Sequence, residues 1–271
     1  MRAYVLTVDG RPRNPDLVSG CLASGVPAEV VTGVLGSALT DGQLRERYSR
    51  RSSKFTLDRP LGRGEIGCAL GHRQIMEQFA SQSDDPWAIV LEDDAVLGDD
   101  LAAVGDLLTE LPDSPIVLTF VPGRTGPHAD RQVPGQAPVR CNDLTAIRLA
   151  DPPDLNTGYA MNRRAALIAM RRYRSRRIDS VADWPYRWAR DVQFWRLDPP
   201  LARPMGAESL IHDDRSALQS AARKRMDPNT RKFILGLLGI RVIQGLTHGY
   251  SPSLVWRQDV LPYARSLRTR R

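Results

Sequence analysis

The chain has 271 residues, 42% of them hydrophobic and 25% charged, a balance that excludes a wholly disordered, collagen-like or multi-pass membrane protein. Its formal charge is +7, and arginine supplies far more of the positive charge than lysine. The charge is uneven: residues 1–162 hold 15 basic and 22 acidic side chains, whereas residues 163–271 hold 23 and 9. Acidic partners therefore concern the C-terminal part first. Three cysteines, Cys21, Cys68 and Cys141, show neither a CxxC nor a Cys/His spacing, so a disulfide framework or structural zinc is not expected.

In chain order, Tyr4–Val8 reads as a first β-strand and is too short an apolar run for a signal peptide. Glu29–Val34 is a second strand, and Thr40–Lys54 a polar surface helix and loop. A helix starts at Gly64, with Cys68, His72, Ile75 and Phe79 on one face, and Ser81–Pro86 breaks it. The continuous apolar run Trp87–Leu91 is a strand buried on both sides. A helix over 99–111 and the buried strand Ile116–Phe120 follow. Residues 122–143, rich in proline and glycine, read as a long loop of the kind that carries function. Thr157–Met161 is a strand entering the helix Arg163–Tyr173. Alternating strands and helices predict an α/β fold: a Rossmann-related mixed sheet flanked by helices over 1–204, with a basic helical extension over 205–271.

The chemistry concentrates in Glu92, Asp93 and Asp94, directly after a buried strand, where open α/β sheets place their ligands. Three adjacent carboxylates need a counter-cation or ready solvation. Oxygen donors suit Mg²⁺ or Mn²⁺, which bridge carboxylates to phosphates; an acidic turn capping the next helix is the alternative. An extended backbone would turn Glu92 and Asp94 to the same side. Asp9, at the end of the first strand, with Arg11 and Arg13 beyond it, has the position to meet a base, ribose or diphosphate. Gly62, Gly64 and Gly67 match a dinucleotide-binding spacing, but Lys54–Leu61 before them is not a convincing strand.

The segment Leu61–His72, with Gly64-Glu65-Ile66-Gly67-Cys68 followed by Leu70 and His72, then Ile89–Asp94, resembles glycosyltransferase family 25. Gly158–Ala165 matches that family's Gly-Tyr strand leading into a helix, and Ser180–Asp183 its later segment ending in Asp. Ala69 and Gly71 stand where an aromatic residue and a serine are usual, and Ser180 and Ala182 depart from the usual Pro-Val-Asp. The resemblance implies a GT-A-like fold, a nucleotide-sugar donor such as a UDP-hexose, inversion at the anomeric carbon and a divalent Mn²⁺ or Mg²⁺. It assigns Asp94 and Glu92 to the metal, with His212 of a later polar cluster as a further ligand. Asp9, Arg11, Glu65, His72, Glu92 and Asp93 fall on the donor side. Asp183 is the leading general base, with Asp154 and Asp151 behind it.

The acceptor implied is a glycan, a lipid-linked saccharide or a small molecule. Arginines around 171–177 and in the tail, interleaved with Phe233, Trp256 and Tyr263, suit an anionic membrane surface. The apolar run Phe233–Leu246 contains Arg241 and falls short of the roughly twenty residues a spanning helix needs. The expected location is therefore cytoplasmic, with peripheral membrane contact. No HTH, RRM, OB or zinc-finger pattern supports nucleic-acid binding. A non-enzymatic basic binding module and a nucleotidyltransferase using the same acidic site are the competing readings.

Overall fold

The computed structural model describes residues 1–51, 53, 59–123, 130–153, 157–174, 177–178 and 191–206. An eight-stranded mixed sheet runs through it. In chain order its strands are β1 (Arg2–Thr7), β2 (Ala28–Thr32), β3 (Trp87–Glu92), then β5 (Ile116–Thr119), β6 (Val139–Cys141), β7 (Leu144–Leu149), β8 (Gly158–Asn162) and β9 (Gln193–Asp198). The strand order across the sheet is β2-β1-β3-β8-β5-β9-β7-β6. β1 is parallel to both β2 and β3, and β5 to β9, whereas β8 lies antiparallel between β3 and β5. Strands β4 (Ala95–Leu97) and β10 (Ala202–Pro204) form a separate antiparallel pair.

Two-residue periodicity divides the sheet between two apolar layers. Ala3 and Val5 of β1, Ile89 and Leu91 of β3, Leu118 of β5 and Trp195 of β9 enter one layer. That face is covered by α1 (Leu17–Ala23) through Leu17 and Cys21, and by α4 (Leu101–Glu110) through Leu101, Val104, Leu107 and Leu108. Their sequence neighbours Tyr4, Leu6, Ala88, Val90, Val117 and Phe194 point the other way. There they meet Ile75, Met76 and Phe79 of α3 (Arg63–Gln82) and Ala165, Ala166 and Ala169 of α5 (Arg163–Arg174). Burial on both faces explains the unbroken apolar run of β3.

Helix α3 starts where its sequence dictates. Glu65, at its third position, accepts from the Gly62 amide at 2.9 Å and closes the first turn. The last glycine of the apparent dinucleotide spacing, Gly67, has a packing reason instead. A Cβ on Gly67 would lie 2.4 Å from the Val34 carbonyl oxygen and 2.8 Å from the Gly36 amide. The helix thus rests directly on the backbone of a 3₁₀ turn, Gly36–Ala38. The short helix α2 (Asp41–Arg47) carries a complete capping box at Thr40 and Gln43.

The predicted strands at 4–8, 29–34, 87–91, 116–120 and 157–161, and the predicted helices at 64–80, 99–111 and 163–173, coincide with elements of the fold to within a few residues at their ends. The 122–143 segment differs: its last residues form β6, which pairs with β7. Elements α1, β4, β7, β9 and β10 have no counterpart among the predicted elements; β4 and β10 span three residues each, and β7 alternates buried with half-buried positions. The extension over 207–271 lies outside the described residues. Among the described residues no helix is long and apolar enough to cross a membrane.

Candidate active site

Because β1 and β3 are parallel neighbours, their carboxyl ends open at the same edge of the sheet. The loop after β1 and the acidic turn after β3 meet there. The Asn14 amide donates to the Asp93 carbonyl at 2.8 Å, and the Asn14 side chain to the Ala95 carbonyl at 2.7 Å. Arg13 crosses between them. Its Nε donates to Asp93 Oδ1 at 2.8 Å, while Nη2 lies 2.7 Å from that oxygen and 3.1 Å from Asp94 Oδ2.

Asp93 and Asp94 are both buried, and Asp94 Oδ1 has no hydrogen-bond partner. Burial pushes the Asp94 carboxyl above its ordinary range, Arg13 opposes the shift, and Glu92 and Asp93 add to it. The chain turns at Asp93 and Asp94 rather than staying extended. Glu92 and Asp94 consequently serve different neighbours, contrary to the extended-strand expectation. Glu92 faces helix α3, where its Oε1 lies 3.6 Å from His72 Nε2 and 3.9 Å from Cys68 Sγ.

His72 is fully buried and lies beside Tyr159 of β8: Nδ1 is 3.1 Å from the phenolic oxygen, and the two rings stack. Its Nε2 has no hydrogen-bond partner. The ligand-type atoms of Cys68, His72 and Glu92 all lie within 4.8 Å of one another. Thr157 anchors the same corner, its carbonyl accepting from the Glu92 amide at 3.0 Å.

Asp9 shapes the loop after β1. Its Oδ1 accepts from the Arg11 amide at 3.0 Å and lies 3.0 Å from the Thr7 hydroxyl. These bonds, the Arg11 amide first, hold the exposed carboxyl below its usual range. Glu65 stands apart in duty: Arg59 grips both its oxygens at 2.7 and 2.6 Å, and the same carboxylate caps α3. Asp151 is held by both its oxygens in a fork with Arg131, at 2.6 and 2.8 Å. Asp154, Asp183 and His212 lie outside the described residues.

Asp9, Arg13, His72, Glu92, Asp93 and Asp94 thus gather at one end of β1 and β3. Residues 4–120, which contain all six, match the family model described as glycosyltransferase family 25 (LPS biosynthesis protein). This stretch of the chain is similar to that family of glycosyltransferases. It runs from β1 through β5 and takes in the β1 loop, α3 and the acidic turn. A comparison with curated proteins finds no match. Cys68, Tyr159 and Thr157 complete the corner around His72 and Glu92, and the sequence reading gave none of them a chemical role. For Cys68 a signal existed, since it sits one turn before His72 on the same face. Tyr159 is 87 residues from its partner, beyond any local pattern.

Proposed function

We propose that the protein transfers a sugar from a nucleotide-sugar donor, a UDP-hexose in our reading, to a hydroxyl of a glycan, lipid-linked or small-molecule acceptor. The observation that carries this reading is the buried Asp94 oxygen without a partner, at the edge where the acidic turn faces the Asp9–Arg13 loop. An orphaned carboxylate oxygen among three acidic side chains fits a divalent cation. Asp94 would hold Mn²⁺ or Mg²⁺ through Oδ1, with His212 as a further ligand; Glu92, turned toward helix α3, stays outside this set. When bound, the ion supplies charge neutralisation for the departing diphosphate.

The chain's own groups do the rest. The Asp9–Arg11 turn presents a carboxylate and backbone to the donor's ribose and base. Arg13 keeps Asp93 and Asp94 at fixed distance, so the acidic turn stays formed without a ligand. His72 lies buried behind Glu92, on the donor side of the site. Inversion requires a base on the face opposite the leaving group, which takes the acceptor hydroxyl proton as the new bond forms. Asp183 is our assignment, with Asp154 next. The mixed sheet, with antiparallel β8 inserted between parallel strands, is compatible with a GT-A-like architecture. We place the reaction at the cytoplasmic face of a membrane, with the basic tail against anionic lipid.

The test is a thermal-shift titration of UDP-sugars with and without Mn²⁺, followed by an assay for the transferred group. Manganese-dependent stabilisation and sugar transfer are expected; the absence of stabilisation by any nucleoside diphosphate would sink the reading. Release of sugar 1-phosphate with transfer of the UMP group would favour a nucleotidyltransferase instead. Asp94→Asn is expected to lower turnover at least about a thousandfold with the fold intact. The same assay on Asp183→Asn and Asp154→Asn identifies the base, and near-wild-type rates in both would move that role elsewhere.

A further inference from the structure

Sugar transfer gives the Cys68 thiol no task and leaves His72 Nε2 without a partner. An unsatisfied buried polar atom costs about 1–3 kcal/mol, so its retention calls for a reason. Nε2 is 3.6 Å from Glu92 Oε1, beyond a hydrogen bond, and Cys68 Sγ is 3.9 Å from the same oxygen. Ideal tetrahedral zinc, with bonds of about 2.3 Å to sulfur and 2.0–2.2 Å to nitrogen and oxygen, separates S from O by about 3.6 Å and N from O by about 3.4 Å. The observed separations exceed these by a few tenths of an ångström, within the reach of small side-chain adjustments.

Two further features fit. Cys68 and His72 are one helical turn apart, so a rigid element sets their spacing. Tyr159 sits on Nδ1, the nitrogen opposite the orphan. A histidine that ligates through one nitrogen commonly donates its other N–H to a neighbour, which fixes ring and tautomer. With Nδ1–H donating to the Tyr159 oxygen, the Nε2 lone pair faces Glu92 and Cys68.

We propose that Cys68, His72 and Glu92 form a three-ligand site for zinc or a similar borderline divalent cation, leaving a fourth position for water or an incoming oxygen. A thiolate and an imidazole favour such ions over Mg²⁺, which prefers oxygen alone. The sequence spacing did not suggest zinc because the third ligand arrives from β3, a different element. Neither the ligand set nor its test depends on sugar transfer.

The experiment uses the full chain, chelator-stripped under reducing conditions, with Co²⁺ as a spectroscopic stand-in. One Co²⁺ per chain is expected, with a thiolate-to-cobalt charge-transfer band that Zn²⁺ bleaches at stoichiometric amounts and Mg²⁺ does not. Cys68→Ser should abolish the band, and Cys141→Ser should retain it. Tyr159→Phe should weaken zinc binding about tenfold, as loss of a supporting hydrogen bond does. If Cys68→Ser does not fold, Cys68→His is expected to keep the ion and lose the band. No cobalt–thiolate band in the wild type, or a band that survives either Cys68 substitution, would overturn the proposal.

Discussion

Asp94 is held between two opposing influences, a guanidinium 3.1 Å away and a nearly dry setting beside two other carboxylates. Burial is the larger, so the folded protein binds this proton more tightly than the unfolded chain does. A carboxyl with a raised folded-state value contributes most to stability at low pH. That contribution is lost as pH rises through the raised value. In chelator-treated protein at neutral pH, Asp94→Asn should therefore melt at or above the wild-type temperature, and the difference should shrink toward acid. Melting curves across pH decide this. A several-degree loss at neutral pH would mean that the Arg13 pairing outweighs desolvation. A residue that costs stability at the carboxyl edge of the sheet is behaving as functional residues do. The acidic turn was legible from three consecutive carboxylates after an apolar run. Which oxygen each would share, and with what, was not, because the turn redirects them and Arg13 comes from 80 residues away.

At the level of elements, α3 shows how closely sequence and fold correspond when local signals agree. Its apolar period, its Glu65 cap and its breaker at Ser81–Pro86 all pointed to the same helix. Strands such as β7 were harder to read, since its residues alternate between buried and half-buried positions and include Thr145 and Arg148. The Gly67 contact tests the helix position directly. Replacing a helical glycine by alanine usually gains up to about 1 kcal/mol. Here the new methyl would meet backbone atoms of Val34 and Gly36, which cannot rotate away. Gly67→Ala should therefore destabilise by about 1–3 kcal/mol in chemical denaturation. A stability equal to or above wild type would show that the 3₁₀ turn yields. Because Cys68 and His72 ride on this helix, a shifted α3 should also weaken the cobalt signal.

Over the whole molecule, charge and chemistry separate. Residues 1–162, which hold the acidic turn, carry seven more acidic than basic side chains, 22 against 15, while the remainder is strongly basic. That asymmetry is what the proposed cation site and the proposed membrane-facing tail would require. Flotation with anionic vesicles should carry the full chain upward and lose it with rising salt, whereas neutral vesicles should not. A chain ending before Met226 should float less; an unchanged bound fraction would remove the tail from the account.

The position of β8 has a consequence for how the protein comes into being. β3 and β5 do not pair with each other; each pairs with β8, which ends at Asn162. The matched stretch, residues 4–120, therefore lacks the strand that joins its own two halves. On a ribosome, β1, β2 and β3 can assemble early, but β5 must wait, apolar and unpaired, until some forty further residues have emerged. Protection of that waiting strand falls to α4 and whatever chaperone is at hand. The stretch that matches the family model is thus shorter than the stretch whose strands complete one another.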